Sequence, residues 1–148
     1  MPANPHVYWL AAVIGLGVLC TNALGQLPVT KMQNGVSYLS GGIGDDEEIQ
    51  IRRAASEFGV LLEFTEIERG KPHGHWSSDV DVRVKSGTTI LINDRSNGPL
   101  MLIRLAPGSY VIEAERAGVK QSRQTAVKAN AAVRERFIWT VDTELQPR

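Results

Sequence analysis

Two histidines one residue apart, His73 and His75, followed by Trp76, form the most chemically suggestive cluster of the chain. Alternate side chains of an extended segment share a side, so the two imidazoles could converge on one metal ion. Asp79 is the nearest carboxylate able to serve as a third ligand, with Asp81 the next. Two firm ligands fall short of the set that a closed structural zinc site takes. Gly74 between the histidines and Pro72 before them fit a solvated loop as well as they fit a metal clip. The sequence implies no cofactor.

Other clusters carry less chemistry. Gly41-Gly42-Ile43-Gly44 precedes a helical pattern, the setting in which backbone N–H groups cradle phosphate. No Lys-Ser/Thr follows it, and Asp45-Asp46-Glu47-Glu48 would repel an anion. That acidic run lacks the alternate spacing of an EF-hand loop and instead suits the positive end of a helix dipole. No nucleophile elbow, H-x-x-E or H-E-x-x-H occurs, so no catalytic residues are assigned. The single cysteine, Cys20, allows no intramolecular disulfide. A lipid-anchor reading of Cys20 meets Leu19 and Gly17 where such a site wants a small residue and a leucine.

The charges begin late. No Lys, Arg, Asp or Glu precedes Lys31, and Val7 to Cys20 is apolar but broken by Gly15 and Gly17. That run is short of the ~20 apolar residues a spanning helix needs and fits the hydrophobic region of a signal peptide. Ala23 and Gly25 supply small residues ahead of a cleavage point between Gly25 and Gln26. The expectation is a leader over 1–25 and export to the periplasm or beyond, with an uncleaved anchor as the alternative. The chain carries 16 basic and 16 acidic side chains, a balance that disfavours nucleic acid or a membrane surface as partner.

The elements that must position these residues are mostly strands. Residues 26–35 read as a linker. Residues 36–66 read as strand, helix, strand: Asp45 serves as N-cap with Glu48 in a capping box, Ile51, Ala54, Ala55 and Phe58 form the apolar stripe, and Gly59 ends the helix. Arg52 and Arg53 fall toward its end. Beyond it, Val80, Val82 and Val84 alternate with charged residues, and Leu100 to Leu105 is apolar enough for a central strand. Pro107-Gly108 and Ala117-Gly118 mark turns, and Val119 to Val127 has the polar composition of an edge strand. Val133, Phe137 and Trp139 bury one face of the last strand, with Glu135 an exception on that face. About seven strands, short turns and no βαβ alternation predict an antiparallel β-sandwich with one N-terminal amphipathic helix, the 79–141 sandwich packing with 36–66 as one unit.

Val80-Asp81-Val82-Arg83-Val84, Gly87, Asn97-Gly98-Pro99 and above all Leu105-Ala106-Pro107-Gly108-Ser109-Tyr110-Val111-Ile112 carry a family likeness. The stretch from Asp81 to Val127 resembles the carboxypeptidase regulatory-like domains, which have a transthyretin-like (prealbumin-like) sandwich. The resemblance implies a fold and an assisting or adhesive role, and no peptidase activity.

Three functions stay open at this stage. The leading one is an exported, non-enzymatic binding or accessory module that meets an envelope or secreted protein through an edge strand such as Gln121 to Val127. The second is a periplasmic metal-binding protein using His73, His75 and Asp79. The third is a hydrolase with an unrecognised site.

Overall fold

The computed structural model describes residues 26–142. The expected leader over 1–25, Cys20 included, lies outside the described residues. Ten strands and one helix follow in the order β1 (Lys31–Gln33), β2 (Val36–Gly41), α1 (Asp45–Phe58), β3 (Gly59–Glu68), β4 (Gly74–Trp76), β5 (Asp81–Ser86), β6 (Thr89–Arg95), β7 (Leu100–Arg104), β8 (Gly108–Arg116), β9 (Val119–Val127) and β10 (Val133–Val141). They build two sheets. One runs β1-β2-β7-β3-β10 with β4 paired to β3, and the other runs β6-β5-β8-β9.

The chain is mainly β, and its two sheets enclose one core. Tyr38, Leu62, Phe64, Met101, Phe137 and Trp139 from the larger sheet meet Val82, Val84, Ile92, Tyr110 and Ile112 from the smaller. Phe64, Phe137 and Trp139 lie with ring centroids 6.1–6.4 Å apart, a spacing at which aromatic pairs attract. Residues 36–66 and 79–141 contribute to this same core. Glu135, on the core-facing phase of β10, is accommodated because the Thr125 hydroxyl donates to its Oε1 at 2.9 Å.

A third layer explains the most apolar strands. Ile51, Ala54 and Phe58 of α1 pack on Leu39, Leu61, Leu100 and Leu102, which point away from the sandwich core. Strands β3 and β7 are therefore covered on both faces near the helix, which removes the alternation that a half-buried strand would show.

Three expectations are corrected. The sandwich is not wholly antiparallel, because β10 pairs parallel with β3 from Val133↔Val60 to Val141↔Glu68. There is also one βαβ unit: β2 and β3 each run antiparallel to the intervening β7, so the α1 crossover joins two parallel strands. And the described residues form ten strands, where about seven are expected; two of them are three-residue strands in stretches whose polar composition suggests loops. One of them, β1, lies within the expected 26–35 linker and pairs with β2 through the turn at Asn34-Gly35, both at positive φ (47° and 78°). That is the conformation for which Asn-Gly hairpins are favoured.

The start of the helix also differs in detail. Gly44, not Asp45, is the N-cap, with φ 97° and no side-chain cap. The Glu48 N–H donates to the Gly44 carbonyl at 3.1 Å, while the Glu48 side chain turns to Arg52. The four acidic residues still occupy the first turn, but no basic residue lies in the last. Arg52 is mid-helix and has another use.

Candidate functional site

The helix covers only part of the outward face of the larger sheet. On β3 that face continues through Glu63, Thr65 and Ile67. The parallel register sets Arg136 of β10 beside Glu63 and Ile138 beside Thr65. On the other flank, β4 sets Trp76 opposite Thr65 and Gly74 opposite Ile67. The close approach depends on Gly74, because a Cβ there would sit 2.6 Å from Thr65 Cγ2 and 2.9 Å from the Glu66 carbonyl. The result is an open groove of about 260 Å³, floored by Thr65, Ile67 and Ile138 and walled by Trp76 and Arg136, with Gly74 and His75 at its end. Trp76 is 50% exposed and Ile138 41% exposed.

At the end of the groove nearest the helix lies a charged cluster. The Glu63 side chain is only 1% exposed. It accepts Arg52 Nη1 at 2.5 Å, and Arg136 Nε and Nη2 at 3.2 Å each, with Arg134 Nε at 3.9 Å. Burial alone would raise the Glu63 pKa, but the hydrogen bonds from Arg52 and Arg136 outweigh it and hold the carboxyl below the ordinary carboxylate range. Arg52 also donates Nε to Glu48 at 2.8 Å, and its guanidinium lies 5.6 Å over the Trp76 ring. Its position is thus set by two carboxylates and an aromatic face.

The residues singled out in the sequence fare differently. Trp76 lines the groove. His75 is exposed, its Nε2 3.9 Å from Glu68 Oε1. His73 is exposed in the loop before β4. Asp79 does not join them. The backbone at Asp79 takes φ 58° and its N–H donates to the Ser96 carbonyl at 3.2 Å, so the chain has turned toward the smaller sheet before reaching it. Asp81 is held by Arg95 at 2.8 and 3.0 Å, and that bond keeps its carboxyl below the usual range. Among the described residues no three His, Cys, Asp or Glu side chains gather into a metal set. The backbone course after β4 does not bring Asp79 to His73 and His75.

Gly41 and Gly42 serve close packing. A Cβ on Gly98 would fall on the Gly41 backbone, and one on Gly42 would press on the Leu100 side chain. At the other end of the helix a wider hollow of about 570 Å³ lies between Phe58, Arg104, Val127 and the 128–132 turn. Arg104 covers the Phe58 ring there at 4.8 Å, which leaves the hollow no exposed aromatic wall.

Sequence reasoning missed Glu63, Arg52, Arg134 and Arg136. The available signal was a lone carboxylate inside the apolar run Val60–Phe64, which a fold tolerates only with partners. No family model matches the chain, and no curated protein matches it.

Proposed function

We propose that the chain is an exported, non-enzymatic accessory module, a transthyretin-like sandwich extended by a βαβ layer, that binds a protein partner through the uncovered part of its larger sheet. The observation that carries this reading is the exposure of Trp76 and Ile138 on the two flanks of Thr65, on a sheet face whose other half is already covered by α1. Apolar side chains exposed around one groove and rimmed by polar groups are a feature of interaction surfaces, and strand pairing holds this floor in place. The smaller sheet supports the transthyretin-like part, since the Pro107-Gly108 turn delivers Tyr110 into the core with its hydroxyl on the Ala106 carbonyl at 2.6 Å.

The face is favoured over the β9 edge for a specific reason. Gln121 Nε2 of β9 donates to the Ile138 carbonyl at 2.7 Å, and Trp139 Nε1 of β10 donates to the Val119 carbonyl at 2.8 Å. These bonds engage part of the edge that an added strand would need.

Photo-crosslinking in the producing cell tests the reading. A photoreactive residue at His75 or Thr140, beside the groove, should give a discrete adduct, whereas one at Lys120 on β9 should not. An adduct from Lys120 alone moves the contact to the edge. Absence of adducts at all three positions overturns the binding reading. N-terminal sequencing of the exported protein should begin at Gln26, and a start at Met1 removes the expected cleavage.

A further inference from the structure

We propose that the groove takes an acidic and apolar peptide segment of the partner, whose carboxylates meet Arg136 and Arg134 while its apolar side chains rest on Trp76 and Ile138. This rests on the binding-module reading and names the chemistry of the partner.

The argument starts from Glu63. A buried carboxylate with one arginine would be a closed structural pair. Here three guanidiniums, from Arg52, Arg134 and Arg136, face two carboxylates, Glu63 and Glu48, so one positive charge is in excess. The distribution of that excess is uneven. Arg52 is spent on Glu63, Glu48 and the Trp76 face. Arg136 directs Nε and Nη2 at a single oxygen of Glu63, and its side chain is 56% exposed. Arg134 is 59% exposed and reaches Glu63 only at 3.9 Å. Glu63 thus acts as an internal counter-ion that holds the Arg136 guanidinium while more than half of that side chain stays exposed, and a held fork loses less entropy on binding a second carboxylate.

The groove has matching polarity. Its lining includes Arg136 and His75 but no Asp or Glu, so an incoming carboxylate meets no like charge there. Of the acids around the groove, Glu63 is only 1% exposed and already engaged by Arg52 and Arg136, and Glu68 stands beside His75. The floor is apolar, and an isolated small anion would leave Trp76 and Ile138 uncovered. A second copy of this chain fits poorly, because self-pairing through this face brings arginines against arginines. Nucleic acid fits poorly as well, since a formal net charge of zero supplies no long-range positive field.

The test uses the full chain and short fluorescein-labelled peptides: one alternating Asp and Leu, one alternating Lys and Leu, and one alternating Asp and Ser. Fluorescence anisotropy should show the Asp-Leu peptide binding about tenfold or more tightly than the other two, and weakening with added salt. Arg134→Gln, which removes the charge without breaking a hydrogen bond to Glu63 or setting a second carboxylate beside it, should cost about tenfold in that affinity, and Trp76→Ala with Ile138→Ser a similar factor. Each variant is checked for an unchanged thermal midpoint. Equal binding of the Asp-Leu and Lys-Leu peptides, both lost in the Trp76/Ile138 variant, overturns the acidic preference and leaves the binding face standing. Competition by inorganic phosphate together with equal binding of the Asp-Ser peptide replaces the proposal with a simple anion site. No binding by any peptide overturns the proposal, and the crosslinking experiment then decides separately whether the face binds a partner.

Discussion

The Tyr38 phenol of β2 donates to the Asp94 carboxylate of β6 at 2.8 Å, joining the larger sheet to the smaller at one rim of the sandwich. Lys31 Nζ meets the same carboxylate oxygen at 2.9 Å. Beside them, the Asn34 amide donates to the Ile90 and Leu91 carbonyls of β6, and Gln33 accepts from the Asn93 N–H. The opposite rim is closed by Gln121 and Trp139. Side chains, not added strands, therefore cap part of the unpaired backbone along both rims.

Tyr38 predicts an alkaline limit to stability. Burial, and then the Asp94 carboxylate, push its pKa up to about 12. A group raised in the fold contributes stability that is complete below its unfolded value near ~10 and lost as pH climbs through the folded one. Denaturant titrations should show wild type losing about 2–3 kcal/mol between those limits beyond what Tyr38→Phe loses. The phenylalanine variant should begin about 1 kcal/mol weaker at neutral pH, for the missing hydrogen bond. Parallel curves for the two proteins would refute the assignment.

Glu63 predicts the acid side. Its carboxyl is held below the usual range, so its contribution is present above an unfolded value near ~4.3 and disappears as pH falls through the folded value. Glu63→Gln should cost roughly 1–3 kcal/mol at neutral pH, because it leaves arginines facing one another around a buried amide. The cost stays below that of breaking a wholly buried pair, since Arg134 and Arg136 are more than half exposed. The variant should also show a shallower acid transition. A midpoint unchanged from wild type would mean that solvent already screens the cluster.

What was legible in the sequence divides by the range of the interaction. Val80, Val82 and Val84 announce a half-buried strand because their alternation is local, and all three are buried. The stripe Ile51, Ala54, Phe58 with Gly59 beyond it marks α1 for the same reason, and Gly59 takes φ 94° with its N–H on the Ala55 carbonyl. The parallel pairing of β3 with β10 has no such signature, because it joins distant segments and depends on which sheet edge is free. Asn34-Gly35 is a two-residue hairpin signal set in a polar, Pro28-containing stretch that otherwise has the composition of a linker. The groove was half visible. Trp76 stands out as an aromatic in a loop-like stretch, but the arginines beside it come from α1 and β10 and meet only around Glu63.

Gly98 predicts a steric effect. A Cβ at this position would overlap the Gly41 backbone, where the loop after β6 crosses the end of β2. Gly98→Ala should destabilise by about 1–3 kcal/mol, as inserted atoms do where neighbours cannot move aside. Gly44→Ala is the informative comparison. A Cβ there meets nothing within 4 Å but is forced to φ 97°, so it reports backbone strain alone. Both midpoints come from the same thermal melts, and a neutral Gly98→Ala would show that the two backbones separate freely.

His73 and His75 predict little change. Both side chains are solvent-facing and Asp79 is directed elsewhere. Replacing both histidines by alanine should alter stability by no more than about 0.5 kcal/mol, as for other surface sites. Calorimetric titration with Zn²⁺ should give weak binding at most. Submicromolar one-to-one binding, abolished by the double variant, would restore the metal-handling reading.

Tyr110 separates the packing of the smaller sheet from its turn chemistry. The ring is 9% exposed within the core shared by both sheets, and its hydroxyl donates to the Ala106 carbonyl at 2.6 Å, across the Pro107-Gly108 turn. Tyr110→Phe keeps the ring and removes only that hydrogen bond, so it should cost about 1 kcal/mol. Tyr110→Ala removes the ring as well and should cost about 3–5 kcal/mol, a large share of the 5–15 kcal/mol typical of a whole domain. The gap between the two variants is the measure of interest, since it isolates the buried ring from the turn. Both follow from urea melts at neutral pH. If the phenylalanine variant loses as much as the alanine one, the hydroxyl bond holds the turn and the ring fills no essential space. If neither loses stability, β8 does not present this face to the core.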